Sequence, residues 1–147
     1  MKKLLFSFAL LFVGATATSV VMAQEVAAGA KIEFNKEVHD YGTIENGADG
    51  TCEFKFKNTG TAPLIIQDAK GSCGCTVPSW PKEPIAPGAT GILKVKYDTK
   101  RTGPINKSVT ITSNATNEPT KIVRIKGTVN PAPTGTAPVN ATGAPAN

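Results

Sequence analysis

Histidine and tryptophan each occur once in this chain, as His39 and Trp80, and cysteine occurs three times, as Cys52, Cys73 and Cys75. A single histidine excludes the paired-histidine zinc motif of metallopeptidases and any site built mainly from imidazoles. Acidic residues number 11 and are dispersed, so no pair of carboxylates stands out for glycoside hydrolysis. The sequence has neither a phosphate-cradling glycine loop nor the strand–turn–helix nucleophile motif of hydrolases. The net charge of +5 drops by two if Lys2 and Lys3 are removed, and the remaining basic residues are scattered without interleaved aromatics, which argues against nucleic acid as a partner. These absences place the chain outside the common enzyme classes, and it is read as a non-enzyme.

The one long apolar run is at the start. Lys2 and Lys3 precede Leu4 to Val13, and Val21-Met22-Ala23 puts small or medium residues where a signal peptidase reads. The run is about ten residues, half of the roughly 20 that a spanning helix needs. Residues 1–23 are therefore expected to be a signal peptide cut before Gln24, leaving no transmembrane anchor and placing the protein outside the cytoplasm, in the periplasm or beyond. Residues 24–30 follow as a short linker. At the other end, residues 131–147 contain no charge and almost only Pro, Ala, Thr, Gly and Asn. Such a composition cannot bury enough apolar surface to offset its ordering entropy, so a disordered tail is expected. One domain remains, residues 31–130.

Within it no window repeats apolar residues at helical spacing. Alternation with period two recurs instead: Ile32 and Phe34; Cys52, Phe54 and Phe56; Leu64 and Ile66; Leu93, Val95 and Tyr97; Val109 and Ile111; Val123, Ile125 and Val129. Each set offers one face to a core and one to water. The breaks Glu45-Asn46-Gly47, Asn58-Thr59-Gly60, Pro87-Gly88 and Thr102-Gly103-Pro104 carry turn chemistry. About seven short strands in roughly a hundred residues predict an antiparallel immunoglobulin-like β-sandwich, with a small barrel as the alternative.

Cysteine chemistry then narrows the candidates. Exported thiols are normally paired, metal-bound or reactive. Cys52 shares a strand face with Phe54 and Phe56 and reads as a small buried hydrophobe, or as the partner of Cys73 or Cys75 in a disulfide. Cys73 and Cys75 flank Gly74. On an extended chain their Cα atoms would stand about 6.5 Å apart with parallel side chains, at the long end for a bridge. Gly74 can bend the chain and bring them together. Three chemistries fit the pair: a structural turn, possession of a soft metal such as copper or zinc with His39 as a third ligand, and thiol–disulfide exchange. Trp80 lies just beyond, in Pro78-Ser79-Trp80-Pro81, either as an anchor for a partner or as a rim residue closing the end of the sandwich. His39 beside Asp40 has no activated serine in view and reads foremost as a hydrogen-bonded strand residue.

Read in order, His39-Asp40-Tyr41-Gly42-Thr43-Ile44, Phe54-Lys55-Phe56-Lys57-Asn58-Thr59-Gly60, Pro63-Leu64-Ile65-Ile66, Ser72-Cys73-Gly74-Cys75-Thr76, Ile85-Ala86-Pro87-Gly88, Val95-Lys96-Tyr97-Asp98-Thr99 and Ile125-Lys126-Gly127 form a set. The set resembles the bacterial domain-of-unknown-function family 1573, with Tyr41 where phenylalanine is usual. Its members are exported immunoglobulin-like domains akin to the major sperm protein and cilia-associated sandwich domains. The resemblance implies the fold and an exported location, and it implies no reaction. Cys52 and the Pro-rich tail lie outside the family pattern. The chain is thus expected to be a non-catalytic exported domain that binds a protein or another cell-envelope component. The alternative is a thiol-redox or soft-metal protein centred on Cys73 and Cys75.

Overall fold

Thr51–Asn58 and Thr90–Tyr97 alternate exposed and buried residues without a break, and they pair antiparallel from Thr51↔Lys96 to Lys57↔Thr90. Burying one face of such a ribbon requires a second sheet, and the chain supplies it. The computed structural model describes residues 28–134; the expected signal peptide, residues 24–27 of the expected linker and residues 135–147 of the expected tail lie outside the described residues.

Among the described residues eight strands form, β1 (Ile32–Phe34), β2 (Val38–Ile44), β3 (Thr51–Asn58), β4 (Ile66–Gly71), β5 (Thr76–Ser79), β6 (Thr90–Tyr97), β7 (Gly103–Ser113) and β8 (Thr120–Val129). They build two four-stranded sheets, ordered β1-β3-β6-β5 and β2-β8-β7-β4. The architecture is the expected β-sandwich, not a barrel. Eight strands replace about seven because β2, β4 and β5 are short or polar and alternate weakly. The pairing is also not wholly antiparallel. β2 lies parallel to β8, since the chain switches sheets after Phe34 and enters the second one beside its last strand. Among the described residues no helix is long and apolar enough to cross a membrane.

The core lies between the sheets. Phe54 and Phe56 of β3, Leu93 and Val95 of β6, Val109 and Ile111 of β7, and Val123 and Ile125 of β8 are almost wholly buried. Each contributes about 1.5–3 kcal/mol by leaving water. Asn58 is buried with them and is fully used. Its carbonyl accepts from Lys31 N and Gly60 N, and its amide donates to Ala62 O and Ile85 O. Satisfied in this way, a buried amide specifies the local chain path instead of costing desolvation.

The sheet edges are closed by four different devices. Asn117 occupies the outer side of β1, donating to Ile32 O at 2.9 Å and accepting from Ile32 N at 3.0 Å. Along β2 the register shifts between Asp40 and Thr43; Gly42, at φ 63°, donates its N–H to Asp40 Oδ1. β4 shifts between Ile66 and Asp68, and the Trp80 indole takes Ile66 O. β5 carries Pro78, which has no N–H to offer. Such blunting keeps strand edges from pairing with other chains.

Candidate functional site

The segment Ser72–Cys75 carries the chain from β4 at the edge of one sheet to β5 at the edge of the other. Its backbone is held at several points. Thr76 N donates to Cys73 O at 3.2 Å, Ser72 N to Ser108 O at 2.8 Å, and Asp98 N to Cys75 O at 2.9 Å. The Ser72 hydroxyl accepts from Ser108 N. The turn shortens the Cα separation of Cys73 and Cys75 to 5.3 Å, within the range for a disulfide, and the two sulfurs lie at bonding distance.

The glycines of this turn divide the work differently from the sequence expectation. Gly74 has no positive φ, and a Cβ built on it meets nothing within 4 Å, so the bend does not depend on glycine there. Gly71 is the constrained one, since a Cβ at that position would collide with the carbonyl oxygen of Thr76. Cys75 is buried, at 4% exposure, whereas Cys73 is half-buried between exposed Ser72 and Gly74. The Thr76 hydroxyl lies 3.8 Å from both sulfurs. Beside the turn is a hollow of about 470 Å³ bordered by Gly50, Gly74, Cys75, Val77, Lys96 and Lys100.

Trp80 adjoins the same side of the molecule. Its indole N–H donates to Ile66 O at 3.2 Å, and Lys82 Nζ stands 3.3 Å from the ring centroid. One edge and one face of the ring are thereby engaged by the chain's own groups, and the side chain spans from the end of β5 to β4.

His39 is on β2, which faces β1 and β3, while the Cys73–Cys75 turn joins β4 to β5 at the far side of the sandwich. The structure therefore brings Cys73 and Cys75 together and parts both from His39. Among the described residues no group of three or more His, Cys, Asp or Glu side chains is placed to hold a metal ion. The neighbour of His39 is instead Cys52. Both border a groove of about 630 Å³ together with Lys36, Asp49, Thr51 and Glu53.

His39 links this groove to an aromatic cluster beside it. His39 meets Tyr41 edge-on at 4.6 Å and Phe54 at 6.5 Å. Lys36 Nζ lies 3.0 Å from His39 Nδ1 and 5.9 Å from the Phe54 ring. Partial burial and then the nearby Lys36 ammonium hold the imidazole below its ordinary pKa of 6.5, against the opposing pull of Asp40. The Tyr41 hydroxyl donates to Gly50 O at 2.6 Å, tying β2 to the start of β3, and burial pushes its pKa well up. Cys52 is 4% exposed and is the free cysteine; burial raises its pKa, partly offset by Tyr41 and Lys36. A thiol so placed is a weak nucleophile.

The groove also exposes a length of backbone. The β1 ladder ends at Phe34↔Phe56, and Asn35 N makes the last bond, to Lys55 O. By Glu37 the chain has crossed over, since Glu37 O accepts from Arg124 N at 2.7 Å. From Thr51 to Phe54, β3 has β6 on one side and no strand on the other. The sequence reading missed Lys36, Tyr41 and this half-open strand. Three residues separate Phe34 from Val38, an interval that a hairpin within one sheet also uses, so no local signal marks the crossing.

The family model described as Protein of unknown function (DUF1573) matches residues 32–129. No curated protein matches the chain. Among solved structures, the chain is similar to a protein of unknown function from Porphyromonas gingivalis W83. That match is 18% identical with a TM-score of 0.62, and covers 72% of this chain and 50% of the other, so the chain spans about half of that protein. It is also similar to an ASH / PapD-like domain of human CEP192, at 13% identity and TM-score 0.56, covering 81% of this chain and 99% of that domain. A secreted serine protease, VesC from Vibrio cholerae, matches at 13% identity and TM-score 0.51 over 67% of this chain and 23% of the protease. At these identities the likeness is one of fold.

Proposed function

The chain belongs to the DUF1573 family, and from that premise we propose that it is a non-catalytic exported sandwich domain whose task is to bind another protein of the cell envelope. The observation that carries this reading is the uncovered half of β3. Every other sheet edge is blunted; on the open side of Thr51–Phe54, Asp49 Oδ1 takes the Thr51 N–H, and Glu53 faces no strand. Gly50 O and Asn58 N bond toward β6 and its connection, while Lys55 O bonds toward β1. The alternation of an antiparallel ladder therefore turns the N–H and C=O of Glu53 into the gap. An extended segment of a partner laid there would satisfy them, the simplest way for a sandwich to recognise protein. The test is a photo-crosslinking residue at Glu53, or at Asn106 on the outer face of β7 as control, in the protein expressed in its own cell. A single partner captured from Glu53 and not from Asn106 supports the reading. Equal capture at both, or none at either, refutes it.

A second reading, thiol exchange at Cys73 and Cys75, is favoured by the placement of their sulfurs at bonding distance. Its test is the intact mass of the mature protein after alkylation without reductant, followed by peptide mapping. A single modified thiol, at Cys52 and only after denaturation, supports the paired state. Three modified thiols without reductant refute it, and the same mass reports whether the chain begins at Gln24.

A further inference from the structure

A disulfide between Cys73 and Cys75 encloses one residue, and the shortest loops remove the least entropy from an unfolded chain. Nor does it join elements that lie apart without it. The turn is already bonded to β7 through Ser72 and Ser108, and to the end of β6 through Cys75 and Asp98. Gly71↔Val109 and Thr76↔Tyr97 fix both flanks. As a staple the bond is redundant. Its two sulfurs are also unequal, for Cys75 is buried and Cys73 is half-exposed on a turn whose neighbours Ser72 and Gly74 face water. A thiolate displaces sulfur from sulfur only where it can reach the atom it attacks.

We infer, resting on the thiol-exchange reading above, that Cys73–Cys75 is an exchangeable disulfide whose substrate is a thiol, with Cys73 Sγ the sulfur attacked and Cys75 Sγ the leaving group. In the first step an incoming thiolate bonds to Cys73 Sγ. The Cys73–Cys75 bond breaks, and its electron pair leaves on Cys75 Sγ, which takes a proton from solvent. The Thr76 hydroxyl, 3.8 Å away, is placed to donate to that sulfur. In the second step another thiolate attacks the substrate sulfur of the mixed disulfide and releases Cys73 as a thiolate. Two thiols are thereby oxidised to one disulfide, and the protein pair takes both electrons. The backbone bonds of the turn do not involve sulfur, so the dithiol stays positioned to close again.

The experiment uses the oxidised mature protein with glutathione in one arm and a reduced thioredoxin-type protein dithiol in the other. Reactions are quenched with an alkylating agent at short times and mapped by mass spectrometry, and thermal unfolding is followed before and after reduction. The expected result is a mixed disulfide on Cys73 in at least about tenfold excess over Cys75, as a steric difference between sulfurs would give, with an essentially unchanged unfolding temperature. Reaction in the glutathione arm alone identifies small thiols as the substrate, and reaction in the protein arm alone identifies protein thiols. Adducts on Cys75 overturn this assignment and leave the exchange reading standing. Resistance to both reagents overturns both. A large fall in unfolding temperature on reduction makes the bond a staple and overturns the inference.

Discussion

The two sides of this sandwich hold the same element in opposite circumstances. On the β2–β3 side, Cys52 is buried beside Tyr41 in a groove that His39 also borders, its acidity suppressed by burial. On the β4–β5 side, Cys73 and Cys75 sit on a crossing turn whose shape is fixed by backbone hydrogen bonds. Cys52 and Cys75 both belong to the packing, whereas Cys73 only borders it. The difference teaches that the side chains around a cysteine, and how far the fold depends on them, decide its chemistry more than the count of cysteines does.

The sharpest way to break that comparison is to empty the packed side. Phe54→Ala should cost about 3–5 kcal/mol in urea unfolding, because the ring is wholly buried and supports both His39 and the sheet interface. A cost below about 1 kcal/mol would show that the groove side is loosely built. Next, the two glycines of the turn should separate. Gly71→Ala forces a Cβ onto the Thr76 carbonyl and should cost about 1–3 kcal/mol, while Gly74→Ala should stay within about 0.5 kcal/mol. Equal effects in denaturant titrations would mean that the turn is not held by its backbone.

Substituting sulfur by oxygen tests the thiols themselves. Cys52→Ser puts a hydroxyl into the core and should cost about 1–3 kcal/mol. Cys73→Ser alone should cost less, by the same unfolding assay, since that side chain is half-exposed and the bond it breaks closes only a one-residue loop. The reverse order would make the paired cysteines the structural ones.

The smallest expected effect concerns pH. The folded state disfavours the His39 cation, so its pKa lies below the ordinary 6.5. The unfolded chain then binds the proton more readily. The stability contributed by neutral His39 is fully present above that value and is lost as pH falls through it toward the folded pKa. The urea midpoint should therefore drop slightly more from pH 7 to pH 5 in the native protein than in a His39→Gln variant. A larger drop in the variant would reverse the sign and place the imidazolium in a favourable site.

How much of this was legible in the sequence depended on how strongly each strand alternates. β3, β6 and the second half of β7 show one buried and one solvated face in the letters alone, and they were found. Val38–Ile44 and Ile66–Gly71 mix charged, small and apolar residues because they lie on edges with bulges, and edges relax the pattern. The parallel pairing of β2 with β8 is a long-range consequence of the sheet switch, and no local signal encodes it. The Cys73-Gly74-Cys75 stretch marked itself by composition, but the reason for its geometry lies in Ser108 and Asp98, more than twenty residues further along the chain. The neighbourhood of Cys52 was hidden for a similar cause, since Tyr41 and Lys36 reach it only through the crossing between the sheets.

The parallel β2–β8 pair has a mechanical meaning. β1 comes first, paired with β3 in the other sheet; β2 then begins where Val38 meets Arg124, and β8 leaves the domain where Val129 meets Ile44. Once β1 has been pulled from β3, tension applied through the two ends of the domain would pull β2 and β8 in opposite directions along their common axis. Their hydrogen bonds would then be loaded together in shear, instead of being peeled one at a time. A domain wired in this way resists stretching along the line joining its ends, whatever it binds.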